Sequence, residues 1–191
     1  SPAQRSERNL KDIPDLIYRI NAQDEIVYVN EAWDLFALSN GAPHLIAEHV
    51  LQRPLWEFIS DATTRELYQQ AIALTRQGRT LRFPFRCDSP QERRFMEMIL
   101  SPYPGDMVTF RSITLRIEPR PCVPLLDMGG ARTEGLVRMC SWCKRIAVDD
   151  TWVEIEEGIT RLRLFERATM PQVTHGICET CLERLMNTLV A

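Results

Sequence analysis

Of the six cysteines in the 191-residue chain, four fall into two pairs. MCSWCKR (139–145) supplies Cys140 and Cys143, and THGICETC (174–181) supplies Cys178 and Cys181. A Cys-x-x-Cys turn puts two thiolates on one side of a tight loop, each able to stand about 2.3 Å from a shared ion, and two such turns complete a tetrahedron. Four sulfurs point to a structural Zn²⁺, which has no redox chemistry and accepts this geometry. The rival readings are physically weaker. A thioredoxin-like pair belongs in a βαβ setting that the surrounding text lacks, and disulfides are rare where thiols are kept reduced. His175, three residues before Cys178, is either an alternative ligand or a group that hydrogen-bonds a ligand sulfur from outside the coordination sphere. Four thiolates around one Zn²⁺ leave net negative charge, which Lys144, Arg145 and His175 could offset.

Such a site is closed, with no open position for a substrate. No Ser-His-Asp set, phosphate-cradling glycine loop or paired-carboxylate motif accompanies it, so no enzymatic role is expected. The formal charge is −3, and residues 140–191 carry six Lys or Arg against eight Asp or Glu. That balance argues against a nucleic-acid partner, whose affinity rests on phosphate neutralisation. No apolar run approaches the roughly 18 residues of a membrane span. The opening SPAQRSERNLKD has no apolar stretch behind its charges and does not read as a secretory signal. The cysteines then fit a reducing compartment, the cytoplasm.

The elements that must carry these cysteines form two groups. DLIYRI and EIVYVN, joined by NAQD, read as a hairpin. NEAWDLFALSNG reads as a short helix with Asn30 as its N-cap. Residues 43 to 60 are irregular. DATTRELYQQAIALTRQG is a longer helix with Leu67, Ala71 and Leu74 on one face, closed by Gly78. Three strands follow. TLRFPFRCD alternates Leu81, Phe83, Phe85 and Cys87 against Arg82 and Arg86, with Pro84 outward as on an edge strand. RRFMEMILS shows Met96, Met98 and Leu100 on one face. DMVTFRSITLRI slips in its alternation between Phe110 and Ile113, where a bulge is expected. The economical fold is α+β, a five-stranded antiparallel sheet with helices on one face.

This order, with the YVNEAW hinge into the first helix, resembles a PAS domain over roughly residues 12 to 117. The CSWCKR and THGICxxC segments resemble a C-terminal module of bacterial PAS-containing signalling proteins in which a zinc site is inferred. RCDSPQERR (86–94) is similar to a junction in stand-alone PAS proteins. The resemblance implies a sensory or protein-interaction role and names no substrate.

The expected organisation is an N-terminal arm (1–11), a PAS domain (12–117), a proline- and glycine-rich linker (118–135) and a zinc-binding module (136–191). Leu125 and Leu126 of the linker could dock on a partner. The module reads as a two-helix unit. Its first helix, DDTWVEIEEGITRL, carries Trp152, Ile155, Ile159 and Leu162; its second, GICETCLERLMNTLV, packs Leu182, Leu185, Met186 and Leu189 against the first. Zinc would hold together a unit too small to stand alone.

By the resemblance, a cavity between sheet and helices holds haem, flavin, a metabolite or only side chains. The candidate walls are Tyr18, Trp33, Phe36, Trp56, Phe58, Tyr68, Phe85, Met96, Met98 and Phe110. QRPLWEFIS has no cysteine before the long helix, which excludes a flavin photoadduct. That helix has no histidine; His44 and His49 lie in the irregular segment, and Met96 or Met98 remains as an axial haem ligand. Arg86, Asp88, Arg93 and Arg94 flank a hairpin and read either as an anion- or partner-docking patch or, the favoured reading, as a solvated turn with weak exposed ion pairs. The expected protein is a cytoplasmic signalling homodimer acting through a protein partner. The alternatives are a zinc-dependent transcriptional regulator and a redox-responsive zinc switch.

Overall fold

The computed structural model describes residues 9–191, so residues 1–8 of the expected N-terminal arm lie outside the described residues. Strands β1 (Leu16–Ile20) and β2 (Ile26–Val29) form the predicted hairpin. Asn21 makes its turn: the side-chain oxygen accepts from the N–H of Gln23 at 3.0 Å and of Glu25 at 2.9 Å. Helix α1 (Glu31–Ser39) follows. Asn30 stands at its N-cap but does not cap it. Its Oδ1 accepts from the Ile17 N–H at 3.2 Å and its Nδ2 donates to the Asp15 carbonyl at 2.7 Å, which ties the helix start to β1. The irregular segment holds a single-turn helix, α2 (Ala47–Val50).

Helix α3 (Ala62–Arg76) has both ends satisfied. Asp61 accepts from the Thr64 N–H at 2.8 Å. At the other end Gly78 takes φ +99°, and the N–H groups of Gly78 and Arg79 return to the carbonyls of Thr75 and Leu74. This is a Schellman closure, in which a glycine avoids the Cβ penalty.

Strands β3 (Leu81–Arg86), β4 (Glu92–Tyr103) and β5 (Met107–Pro119) complete an antiparallel sheet of order β2-β1-β5-β4-β3. It is the expected α+β architecture of a five-stranded antiparallel sheet with helices, with a core built on Ile20, Phe83, Leu100, Phe110, Leu67 and Ile72. Pro84 is exposed on the edge strand β3, where no ladder donor is needed. The bulge sits later than expected. Phe95 opposes Arg116 and Met96 opposes Thr114, so the extra residue is Leu115, while Phe110 to Thr114 stay in register with Leu100 to Met96.

The C-terminal part differs from the two-helix expectation. It contains β6 (Arg132–Cys140), β7 (Ile146–Val148), β8 (Thr151–Val153), α4 (Ile155–Arg161), β9 (Met170–Gly176) and α5 (Glu179–Val190). Its sheet has the order β8-β7-β6-β9, with β6 and β9 parallel. Trp152 belongs to β8, and α4 is only the second half of the predicted helix. Helix α4 packs on β7 through Gly158, where a Cβ would overlap the Ile146 side chain. Helix α5 packs on α3 and β3 instead of α4, burying Leu185 and Leu189 and leaving Met186 exposed. The proline-rich stretch is not a free arm. Val123 and Leu125 are buried with Val137, Met139, Ile146 and Ile155, so the surface on which Leu125 docks belongs to this chain.

Candidate metal centre and sheet cavity

Parallel pairing of β6 with β9 brings the two cysteine turns together, since Cys140 ends β6 opposite Gly176, which ends β9. In the first turn the Cys140 N–H donates to the Arg145 carbonyl at 2.8 Å, and Lys144 takes φ 62° to close the loop. Ser141 N–H donates to the Gly176 carbonyl at 2.9 Å and locks the turns side by side. Cys178 is the N-cap of α5 and Cys181 lies in its first turn. The positive end of the helix dipole favours thiolates there.

The sulfurs of Cys140, Cys143, Cys178 and Cys181 all lie within 4.8 Å of one another. Those of Cys143 and Cys178 are 3.7 Å apart. A tetrahedral site with metal–sulfur bonds of about 2.3 Å has sulfur–sulfur edges of roughly 3.8 Å, so the cluster matches the spacing of a four-thiolate metal site. The Cys178 N–H also donates to the Cys140 sulfur at 3.4 Å, a bond that stabilises negative charge on a ligand. Hydrogen bonds from the Cys143 and Cys181 thiols pull the Cys140 thiol far below its ordinary range. The same contact with Cys140 pushes Cys143 up to about 12 and Cys181 higher still. Among Cys140, Cys143 and Cys181 these contacts favour a single thiolate; a cation is what would let the three ionise together. His175 is exposed on β9 opposite Met139, outside the group of four. Although the residue is exposed, its ring is partly screened from water by the atoms packed around it, and this desolvation together with the nearby Lys144 charge holds the imidazole below its usual value.

Trp142, between the first two cysteines, lies inside the core of the five-stranded sheet domain. Its ring stacks on Tyr68 at 5.5 Å and meets the edge of Phe83 at 5.1 Å. The Arg86 N–H donates to the Trp142 carbonyl at 2.7 Å, which fastens the turn to the end of β3. Cys140, Cys178 and Cys181 share one continuous apolar core with Phe83, Leu67 and Leu185. At the far end of α5, Arg79 donates to the carbonyls of Leu189 at 2.8 Å, Ala191 at 3.1 Å and Thr188 at 3.3 Å.

The arginine-rich hairpin is not a solvated turn. The side chains of Asp88 and Arg120 are fully buried, and Arg86 is nearly so. Asp88 accepts from Arg86 at 2.5 Å and from Arg120 at 2.7 Å. Arg86 then reaches Glu154 at 3.0 Å, while Arg93 and Arg120 reach Glu156 at 2.7 and 2.6 Å. Glu154 and Glu156 belong to the start of α4, so the network bridges the two sheets. Burial would raise the Glu156 carboxyl, but the hydrogen bond from Arg120 and the charges of Arg120 and Arg93 outweigh it and hold it below its ordinary value. Sequence spacing conceals these pairs, because the partners of Asp88 and Arg86 lie 32 and 68 positions away. Arg94, by contrast, pairs only locally, with Glu92 at 3.4 Å.

A second feature is an apolar cavity of about 210 Å³ between the sheet and α1. Six of the ten predicted wall residues line it: Tyr18, Trp33, Phe36, Phe85, Met96 and Met98, together with Cys87, Asn40 and Ser112. The other four pack elsewhere. Phe110 is fully buried, Tyr68 packs against Phe83 and Trp142, Trp56 donates to Asp24, and Phe58 lies under the Arg53 guanidinium. Asn40 and Ala42 were missed because they follow α1 without periodicity.

These features define an α+β domain with a five-stranded antiparallel sheet, whose edge carries a four-cysteine cluster able to hold a metal ion. No family model and no curated protein matches the chain. Among solved structures it is similar to the PAS domain of an HTR-like protein from Haloarcula marismortui, with 20% identity over 56% of this chain and 85% of that one, at a TM-score of 0.37. No helix among the described residues is long and apolar enough to cross a membrane.

Proposed function

We propose that this protein is a cytoplasmic signalling protein, a PAS sensor or interaction domain locked to a C-terminal module by a structural zinc ion on Cys140, Cys143, Cys178 and Cys181. The observation that carries this reading is the position of the cluster. Its first turn is anchored in the sheet domain through Trp142 and its second begins α5, which packs on α3. A metal there does no chemistry; it fixes one unit against the other. The cavity is smaller than the roughly 300–1,000 Å³ of common ligand pockets. Its occupant would therefore be a small apolar or aromatic molecule in preference to haem or flavin. Output passes to a protein partner or through rearrangement of a homodimer. Native mass spectrometry of the full chain, followed by denaturing mass spectrometry, tests each part. One zinc per chain, lost on denaturation, is the expected result, and zinc-free protein would overturn the reading. A further organic mass would identify the domain as a chemical sensor, whereas zinc alone on a dimer would identify it as an interaction module.

A further inference from the structure

The four sulfurs are unequally sheltered. Cys140, Cys178 and Cys181 are buried, whereas Cys143 is only half-buried. Cys143, Cys178 and Cys181 also line an open cleft of about 350 Å³ formed with the ends of β3 and β4, the Leu115 bulge and α5; Cys140 does not. A water molecule takes roughly 30 Å³ in the liquid, so the cleft has room for a peroxide-sized molecule beside these three cysteines, of which Cys143 is the least buried. Two of them, Cys143 and Cys178, are already 3.7 Å apart and lie in different turns.

We propose that the cleft is an oxidant entry and that Cys143 and Cys178 are a thiol-oxidation site, at which a hydroperoxide forms a disulfide and releases the metal. This rests on the zinc reading above. The Cys143 thiolate attacks the distal peroxide oxygen and the O–O bond breaks, giving a sulfenic acid and an alkoxide or hydroxide that takes up a proton. The Cys178 thiolate then attacks the Cys143 sulfur, displacing hydroxide, which leaves as water after protonation. The two sulfurs lose two electrons and the peroxide gains them. Two of four ligands are gone, and the metal keeps only Cys140 and Cys181. The linkage joins the turn that carries Trp142 to the N-cap of α5, so its formation changes how both sit on the sheet domain.

The test uses the full-length zinc protein carrying Cys122→Ser, which removes an exposed thiol outside the cluster. Hydrogen peroxide is added, zinc release is followed with a chromogenic chelator, and disulfides are mapped on non-reduced peptides over the same time course. Zinc should leave in step with a Cys143–Cys178 linkage. In a second variant, Leu115→Trp fills the cleft from an exposed bulge position. It should retain its zinc and slow both events several-fold. Release without that linkage, zinc retained while Cys87 oxidises, or an unchanged rate in Leu115→Trp would each overturn the oxidation site and leave the zinc reading standing. Protein without zinc before any peroxide is added would overturn both.

Discussion

Trp142 joins the cysteine turn to the sheet domain. It is buried between Tyr68 and Phe83, and aromatic side chains of this size bury about 150–250 Å². Its indole Nε1 is buried with no hydrogen-bond partner among the described residues. An unpaired donor of this kind costs about 1–3 kcal/mol, so the ring is held by packing alone and against a polar penalty. Two substitutions separate these effects. Trp142→Ala should destabilise by about 3–5 kcal/mol, the usual cost of emptying an aromatic site. Trp142→Phe loses area but also removes the orphaned N–H, and should cost far less. Denaturant midpoints measure both. Equal losses for the two variants would show that the N–H is satisfied and that the polar penalty is not there.

At the scale of elements, the buried Asp88 network sets how α4 and its sheet meet the sheet domain. A buried ion network is not by itself stabilising, because desolvation consumes much of the Coulomb gain. What it supplies is orientation: Glu154 and Glu156 have one arrangement in which Arg86, Arg93 and Arg120 are all paired. Glu156 makes this contact sensitive to acid. Its carboxyl is held below the unfolded value of about 4.3, so its contribution is fully present above that pH and is lost as pH falls through the lower folded value. Acid titration followed by tryptophan fluorescence should show the contact intact at pH 5 and loosening below about pH 4. Glu156→Gln should flatten that part of the curve; an unchanged profile would remove Glu156 from the account. Such a network is invisible in sequence, since each residue there reads as a surface charge. The same holds for the second sheet. β7 and β8 are three residues each, too short for a period of two to show, and β6 pairs with a strand more than thirty positions away. The sheet domain was legible because its strands are long, alternate cleanly and are joined by turn residues such as Asn21. The four-cysteine cluster was legible because its chemistry is written in local spacing. Where the cluster would sit was not, because Trp142 reads only as an apolar residue between two cysteines.

For the whole molecule, on the zinc reading, the two apolar clusters divide the consequences of losing the metal. One contains Ile146, Val148, Ile155, Leu125 and Met139 and no sulfur ligand; the other contains Cys140, Trp142, Cys178, Cys181 and Leu185 alongside the sheet-domain core. Structural zinc is worth about 10–16 kcal/mol in small peptides, which is comparable to the 5–15 kcal/mol that holds an ordinary domain folded. Its removal therefore decides the state of whatever it closes. Incubation with a strong chelator, followed by hydrogen exchange, should strip protection from α5 and from the cysteine turn, residues 140–145. The central strands β4 and β5 should keep theirs, because their ladder runs from Glu92 to Pro119 without any contribution from the cysteines. Helix α4 should stay protected on β7, held by Gly158 against Ile146 and by the arginine network. Uniform loss across both sheets would mean that the metal supports the whole fold, and no loss in α5 would mean that Arg79 and the α3 contact hold the helix without it. The cavity gives the same experiment a second reading. Phe85 and Met96 line both the cavity and the cleft beside the sulfurs, so a loosened cluster frees two of the cavity's walls. Greater exchange in α1 on chelation, at a distance from any cysteine ligand, is the expected sign that the metal centre and the cavity are mechanically joined.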